Sequence, residues 1–160
     1  MDGGLMFSRG QKVSRILAKH DGKEAVTQID DLLQAVYEKK PKKIKKAEKH
    51  FILIKRMENQ VQTGGFESFY FNASGDHASD TYDALDLIGS KIVKNLFFES
   101  MQAFRGMVAK DMATRQKYME DYKEECTPIW QPLNEVFKKH EEDLDKLLID
   151  YVRAHILEFR

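Results

Sequence analysis

The sequence is poor in the features that crosslink a chain or anchor it in a membrane. Cys126 is the only cysteine among 160 residues, which excludes an intramolecular disulfide and is typical of a reducing compartment. The longest apolar runs, such as residues 51–54, are far shorter than a membrane-spanning helix, which needs about 20 residues. No apolar run follows a basic N-terminus, so the sequence predicts no signal peptide and no membrane contact. We therefore expect a cytoplasmic protein.

The motifs that carry common enzyme chemistry are also missing. The chain has no P-loop, no GxGxxG and no GxSxG motif. No two of its five histidines lie within four residues of each other, which leaves no zinc-type ligand pair. Cys126 has neither a CxxC partner nor a nearby histidine, so thiol catalysis is weakly supported. We expect no metal ion and no cofactor, and the sequence favours a non-enzymatic protein over an enzyme.

Charge is balanced overall but unevenly distributed along the chain. The net charge is zero. Residues 1–60 contain 14 lysines and arginines against 8 acidic residues, whereas residues 61–160 contain 12 against 18. Because a neutral total argues against bulk binding of nucleic acid, a nucleic-acid partner is not the expected one.

The apolar pattern predicts an all-α fold. Apolar residues recur at spacings of three and four, with no regular alternation and only three prolines. We expect a single domain over residues 12–160, formed by a bundle of about six to eight helices. Residues 1–11, which contain three glycines, are expected to be a loose N-terminal segment. Gly64 and Gly65 are expected to end a helix, so that Gly64-Gly65-Phe66 forms a hinge.

Proline and glycine divide the helical pattern. Pro41 separates a helix expected over residues 23–39 from one over residues 42–62. Further helices are expected over residues 92–106, 111–126 and 144–159. Pro128 and Pro132 are expected to break the chain after residue 126, because proline removes a hydrogen-bond donor and clashes with the preceding turn.

A lysine-rich stretch follows the first proline. Four of its lysines share one face if a helix starts at residue 42: Lys42, Lys45, Lys46 and Lys49. This basic patch could contact the phosphates of a nucleic acid, with affinity that falls steeply with salt. The alternative is a solvated helix face.

Acidic residues cluster in the second half of the chain. The acidic patch consists of Glu120, Asp121, Glu124, Glu125, Glu141, Glu142 and Asp143. Such a surface can imitate the phosphates of DNA or hold a cation, although metal binding requires carboxylates that converge with histidine. Solvated helix faces are again the alternative.

Residues 59–76, which we call the glycine–aromatic segment, combine three glycines, four aromatic residues and several amides. One interpretation is a ligand or partner site, with glycine loops, aromatic walls and inward polar groups. The candidate residues are Glu58, Gly64, Gly65, Phe66, Phe69, Asn72, Ser74, Gly75 and Asp76. The other interpretation is structural: a helix stop, an aromatic core wedge and a capped helix start.

The same segment resembles a family signature. Residues 58–66 fit E-x-x-V-x-x-G-G-F, an aromatic pair follows, residues 72–76 fit N-x-S-G-D and residues 84–89 fit A-L-x-x-I-G. This combination resembles bacterial domains of unknown function typified by DNA-mimic protein 19, and the resemblance extends from about Lys12 to Phe159. It implies an all-α cytoplasmic bacterial protein. For the typifying member it implies an acidic surface that imitates DNA and engages a DNA-binding regulator.

Two functional hypotheses follow from these observations. The first is a non-enzymatic helical module that binds another protein. A narrower form of this hypothesis is a DNA mimic that binds a DNA-binding regulator through the acidic patch. The alternative is a small-ligand or enzymatic pocket in the Gly64–Asp76 loop, with Asn72, Asp76 and Glu58 pointing inward. A homodimer is one alternative for the oligomeric state.

Overall fold

The computed structural model of the protein describes residues 6–160. Within that range it contains eight α-helices, four short 3₁₀ turns and no β-strand, which confirms the all-α bundle of six to eight helices. Residues 1–5 of the expected loose segment lie outside the described residues. The helices are α1 (Arg9–Lys19), α2 (Gly22–Lys39), α3 (Lys46–Phe71), α4 (Ala78–Leu87), α5 (Ile92–Met101), α6 (Met112–Asp121), α7 (Lys123–Lys139) and α8 (Leu144–Ala154).

The helices form two compact units. The first comprises the chain up to Ile52 together with Asp143–Arg160, and the second comprises Leu53–Glu142. The single domain expected over residues 12–160 stays a prediction. No helix in residues 6–160 combines the length and the apolar character that crossing a bilayer requires.

The first unit packs α1, α2 and α8 with the start of α3. Ser8 begins α1 with a capping box, in which its hydroxyl accepts the N–H of Gln11 while Gln11 Oε1 accepts the N–H of Ser8. Residues 9–11 therefore lie in a capped helix rather than in a loose segment. Buried apolar side chains fill this unit, among them Val13, Val26, Ile29, Leu33, Phe51, Leu148, Val152 and Phe159.

The second unit has an aromatic core. Tyr70 stacks on Trp130, with ring centroids 5.4 Å apart, and on Phe97, with centroids 6.3 Å apart. The hydroxyl groups of Tyr70 and Ser100 are 2.7 Å apart, and Trp130 Nε1 donates to the carbonyl of Ser100 at 2.9 Å. The polar atoms of these buried aromatic residues are thus paired, as burial requires.

Helix α7 corrects the expected break at the prolines. Pro128 and Pro132 both lie inside the helix Lys123–Lys139. The helical interruption comes earlier, at Tyr122 between α6 and α7. The prolines are exposed, so water can bond the carbonyls that they leave without donors. The opposite face carries a buried stripe that offsets their cost: Cys126, Trp130, Leu133 and Phe137. Tertiary burial here overrides the local preference of proline.

Candidate functional site

A kink at Gly65 divides α3 into two helical segments. Gly65 has φ 72° and ψ −177°, a backbone conformation open essentially to glycine alone, while the helix continues to Phe71. A Cβ at Gly65 would lie 2.5 Å from Asn134 Nδ2 and 2.5 Å from Glu67 Oε2. The hinge expected at Gly64-Gly65-Phe66 is therefore present: one helical segment ends at the glycine pair and a short one follows to Phe71.

Asn134 of α7 bridges this kink. Its Oδ1 accepts the N–H of Phe66 at 2.9 Å, and its Nδ2 donates to Glu67 Oε2 at 3.0 Å. The kink thus exposes a backbone donor that one side-chain amide satisfies. Phe66 itself is fully buried, with its ring against Phe97 and Phe137.

A second set of contacts, the Arg115 cluster, is centred on a fully buried arginine of α6. A guanidinium has five N–H donors in a fixed planar arrangement, and burial makes each unpaired donor costly. The donors of Arg115 bond four carbonyl oxygens and one carboxylate, at 2.7–2.9 Å. The acceptors are the carbonyls of Tyr70, Asn72, Ala109 and Lys110 and Oδ1 of Asp76.

The Asn72–Asp76 turn fits around this guanidinium. A Cβ at Gly75 would lie 2.7 Å from Arg115 Nε, so only glycine allows the backbone to approach so closely. Ser74 Oγ donates to the carbonyl of Phe69 at 2.7 Å, near the end of α3. Asn72 Nδ2 donates to the carbonyl of Ser68 at 2.8 Å.

The structure thus places most of the candidate pocket residues in internal contacts. Glu58 pairs with Lys55 in the preceding turn of α3, at 2.5 Å. Phe69 is fully buried, and a Cβ at Gly64 would lie 2.6 Å from Ser68 Cβ. These contacts follow the structural interpretation of the glycine–aromatic segment.

An open cavity lies beside the segment, between α6 and α7. We call it the α6–α7 groove; its volume is about 570 Å³. The glycine–aromatic segment contributes Glu67 and Phe71, and the Phe71 side chain is 51 % exposed. The helices line it mainly with Ala113, Gln116, Lys117, Glu120, Thr127 and Trp130.

Carboxylates surround the junction of the two helices. We call Glu120, Asp121, Glu124 and Glu125 the acidic corner; all four are exposed. Lys117 pairs with Asp121 at 3.2 Å and Lys123 lines the groove, so the corner is partly neutralised. Cys126 lies at the groove wall, where burial raises the pKa of its thiol and keeps it protonated near neutral pH.

The rest of the acidic patch has different surroundings. Glu142 accepts the N–H groups of Lys91, Ile92 and Val93 and the hydroxyl of Ser90, at 2.5–3.1 Å. Desolvation opposes its charge, but these hydrogen bonds outweigh desolvation and lower the pKa of Glu142. Glu141 is exposed, whereas Asp143 caps α8 by accepting the N–H of Lys146 at 3.0 Å.

The basic patch does not form one helix face. Lys42 lies in the 3₁₀ turn Pro41–Lys43, and α3 begins only at Lys46, so the helix expected from residue 42 starts too early. Buried Glu48 explains the boundary: it accepts the N–H of Lys45 at 2.9 Å and pairs with Arg9. The helix start is therefore occupied by a carboxylate of the chain itself.

Comparison with known proteins identifies the family. A family model described as DMP19-like protein matches residues 42–155. The chain belongs to the DMP19-like protein family. No curated protein and no solved structure matches it significantly.

The residues of the DMP19-like match include Gly65 and Asn134 of the kink and Asp76 and Arg115 of the Arg115 cluster. Sequence reasoning found Gly65, Gly75 and Asp76 but missed Arg115 and Asn134, which lie 39 and 67 residues from Asp76 and Glu67. No local pattern connects residues so far apart. In residues 6–160, no group of three or more His, Cys, Asp or Glu residues is placed to hold a metal ion.

Proposed function

We propose that this member of the DMP19-like family is a non-enzymatic module that binds another protein through the α6–α7 groove and its acidic corner. The observation that carries the proposal is the open apolar groove, with the half-exposed Phe71 ring at its edge. Apolar surface that a chain leaves open beside a polar rim is characteristic of interaction sites.

The contacts of the candidate pocket residues support the same proposal. Ser74, Gly75 and Asp76 are engaged by the end of α3 and by Arg115. A catalytic site requires polar groups that face a substrate, whereas these face one another. These internal contacts explain the polar residues of the glycine–aromatic segment without a catalytic role.

A DNA-binding regulator is the narrower class of partner that we favour. Such proteins carry basic surfaces for phosphate contact, and the acidic corner has four exposed carboxylates. Binding should accordingly weaken as salt concentration rises, because these charges are exposed.

A photo-crosslinking amino acid at Ala113 tests the proposal. Ala113 is exposed and lines the groove, whereas Ala154 is exposed on α8 and serves as the matched control. We expect crosslinks to a defined polypeptide in the source organism from position 113 and not from position 154. The same products from both positions, or none from position 113, would contradict the proposal.

A small apolar ligand is the second candidate, because the groove volume of about 570 Å³ lies in the range of small-molecule pockets. Native mass spectrometry of the purified protein distinguishes the two. An extra mass that disappears in Ala113→Arg, together with absent crosslinks at position 113, would favour the ligand.

A further inference from the structure

We infer that the segment occupying the α6–α7 groove is a basic amphipathic helix of the partner. The inference rests on the proposed function and states the chemistry of the partner. Its apolar face would fill the groove, and its lysines and arginines would contact the acidic corner.

The shape of the groove favours a helix. On α6 the lining residues Ala113, Gln116 and Glu120 recur at spacings of three and four, and on α7 Lys123, Thr127 and Trp130 do the same. The groove is thus formed by one face of each helix, an arrangement into which a third helix packs. Residues 6–160 contain no strand, so they offer no sheet edge to an extended peptide.

The charge around the groove favours a basic occupant. Glu67 and Glu120 line the groove together with Lys117 and Lys123, so the lining itself is neutral. The acidic excess comes from Asp121, Glu124 and Glu125 of the acidic corner, with Arg105 over the nearby Tyr122 ring. Asp121 already pairs with Lys117. The whole second unit, Leu53–Glu142, has the same sign, with 15 acidic residues against 11 lysines and arginines. A cationic helix therefore meets complementary charge, and an anionic one is repelled.

A second copy of the chain fits the groove less well. In a two-fold symmetric dimer, the same patch meets itself. Two acidic corners would then face each other, which costs free energy. Insertion of an apolar helix face beside charge differs from imitation of a row of phosphates.

Trp130 provides a direct readout of groove occupancy. It is the only tryptophan in the chain, and it lines the groove while 2 % exposed. A synthetic Leu/Lys amphipathic helix of about 18 residues, or about five turns, can be titrated while Trp130 fluorescence is recorded. The matched peptides replace every lysine with glutamate or scramble the Leu/Lys order.

We expect the basic amphipathic peptide to bind and to change the Trp130 emission, and the other two peptides to bind at least about tenfold more weakly. The double variant E120Q/E124Q should weaken binding by about tenfold, and Ala113→Arg should abolish it. The matched controls are E99Q/E135Q, which removes two exposed carboxylates outside the groove lining, and Ala154→Arg. Circular dichroism of each variant checks that it is folded.

Several outcomes would overturn the inference. Equal binding of the acidic peptide would show that the groove does not select positive charge. Equal binding of the scrambled peptide would show that it does not select an amphipathic helix. A dimer that Ala113→Arg converts to a monomer would place a second copy there. Crosslinks at position 113 without charge-sensitive peptide binding would refute only the basic helix, whereas loss of the crosslinks themselves would refute the proposed function.

Discussion

The Arg115 cluster and the α6–α7 groove are neighbouring regions of the second unit with opposite character. The cluster is polar and filled: every guanidinium N–H of Arg115 has an acceptor within 2.9 Å. The groove is mainly apolar and open, and Phe71 is half exposed at its edge. The glycine–aromatic segment contributes to both. Its most distinctive polar residues stabilise the fold. The surface available for a partner comes mainly from residues that belong to no recognisable sequence motif.

The largest expected effect is the loss of the Arg115 cluster. Arg115→Met keeps an apolar chain but removes all five donors, leaving buried carbonyls and Asp76 without them. We expect the free energy of unfolding to fall by about 3–5 kcal/mol, because several carbonyls lose a charged hydrogen-bond donor. Urea denaturation measures it, with the exposed Arg153→Met as control. A loss equal to that of the control would show that the cluster is dispensable.

The Gly65 kink provides the next test. Gly65→Ala places a methyl group against Asn134 and Glu67 in a conformation that alanine resists. We expect a loss of about 3 kcal/mol. Gly89 also has positive φ, at 83°, but nothing lies within 4 Å of its added Cβ, so Gly89→Ala should cost only about 1 kcal/mol. Thermal melts of the two variants separate contact from backbone strain, and identical shifts would contradict the role of Asn134.

Glu142 predicts a smaller, pH-dependent effect. Because its pKa is lowered from the ordinary value of 4.5, the unfolded chain takes up the proton more readily than the folded one. Its contribution is therefore complete above that value and is lost as pH falls through the folded-state pKa. Glu142→Gln should cost about 1 kcal/mol near neutral pH and progressively less in acid. Urea denaturation across this pH range, with the exposed Glu141→Gln as control, measures the difference; a cost that does not change with pH would contradict it.

Phe71 should show the smallest effect on stability. Phe71→Ser removes a half-exposed ring, so we expect a change of about 0.5 kcal/mol or less. Fully buried Phe69→Ala, two positions away, should cost about 3–5 kcal/mol. Peptide binding monitored by Trp130 should nevertheless weaken in Phe71→Ser. Unchanged binding would remove Phe71 from the proposed interface.

The sequence predicted the helical class because apolar spacing of three and four records which face of each helix is buried. It misplaced boundaries where distant residues decide them. Pro128 and Pro132 lie inside α7 because a buried stripe on its other face holds the helix together. The start of α3 depends on Glu48 and Arg9, which are 39 residues apart.

The candidate site was predictable as a segment but not as an arrangement. Gly65, Gly75 and Asp76 belong to one short stretch, whereas their partners Asn134 and Arg115 come from other helices. The groove is also a product of packing, since it exists only where α6 and α7 come together. Local periodicity contains no information about such pairings.

Arg115 and Glu142 both form hydrogen bonds to backbone groups of the second unit, but acid affects the two sets of hydrogen bonds differently. Four of the five acceptors of Arg115 are backbone carbonyls, which do not take up protons. The carboxylate of Glu142, in contrast, loses its charge in acid, which weakens the hydrogen bonds that it accepts at the start of α5. Acidification should therefore weaken the hydrogen bonds of residues 90–93 more than those of residues 70–76, where Asp76 is the one acceptor of Arg115 that can take up a proton.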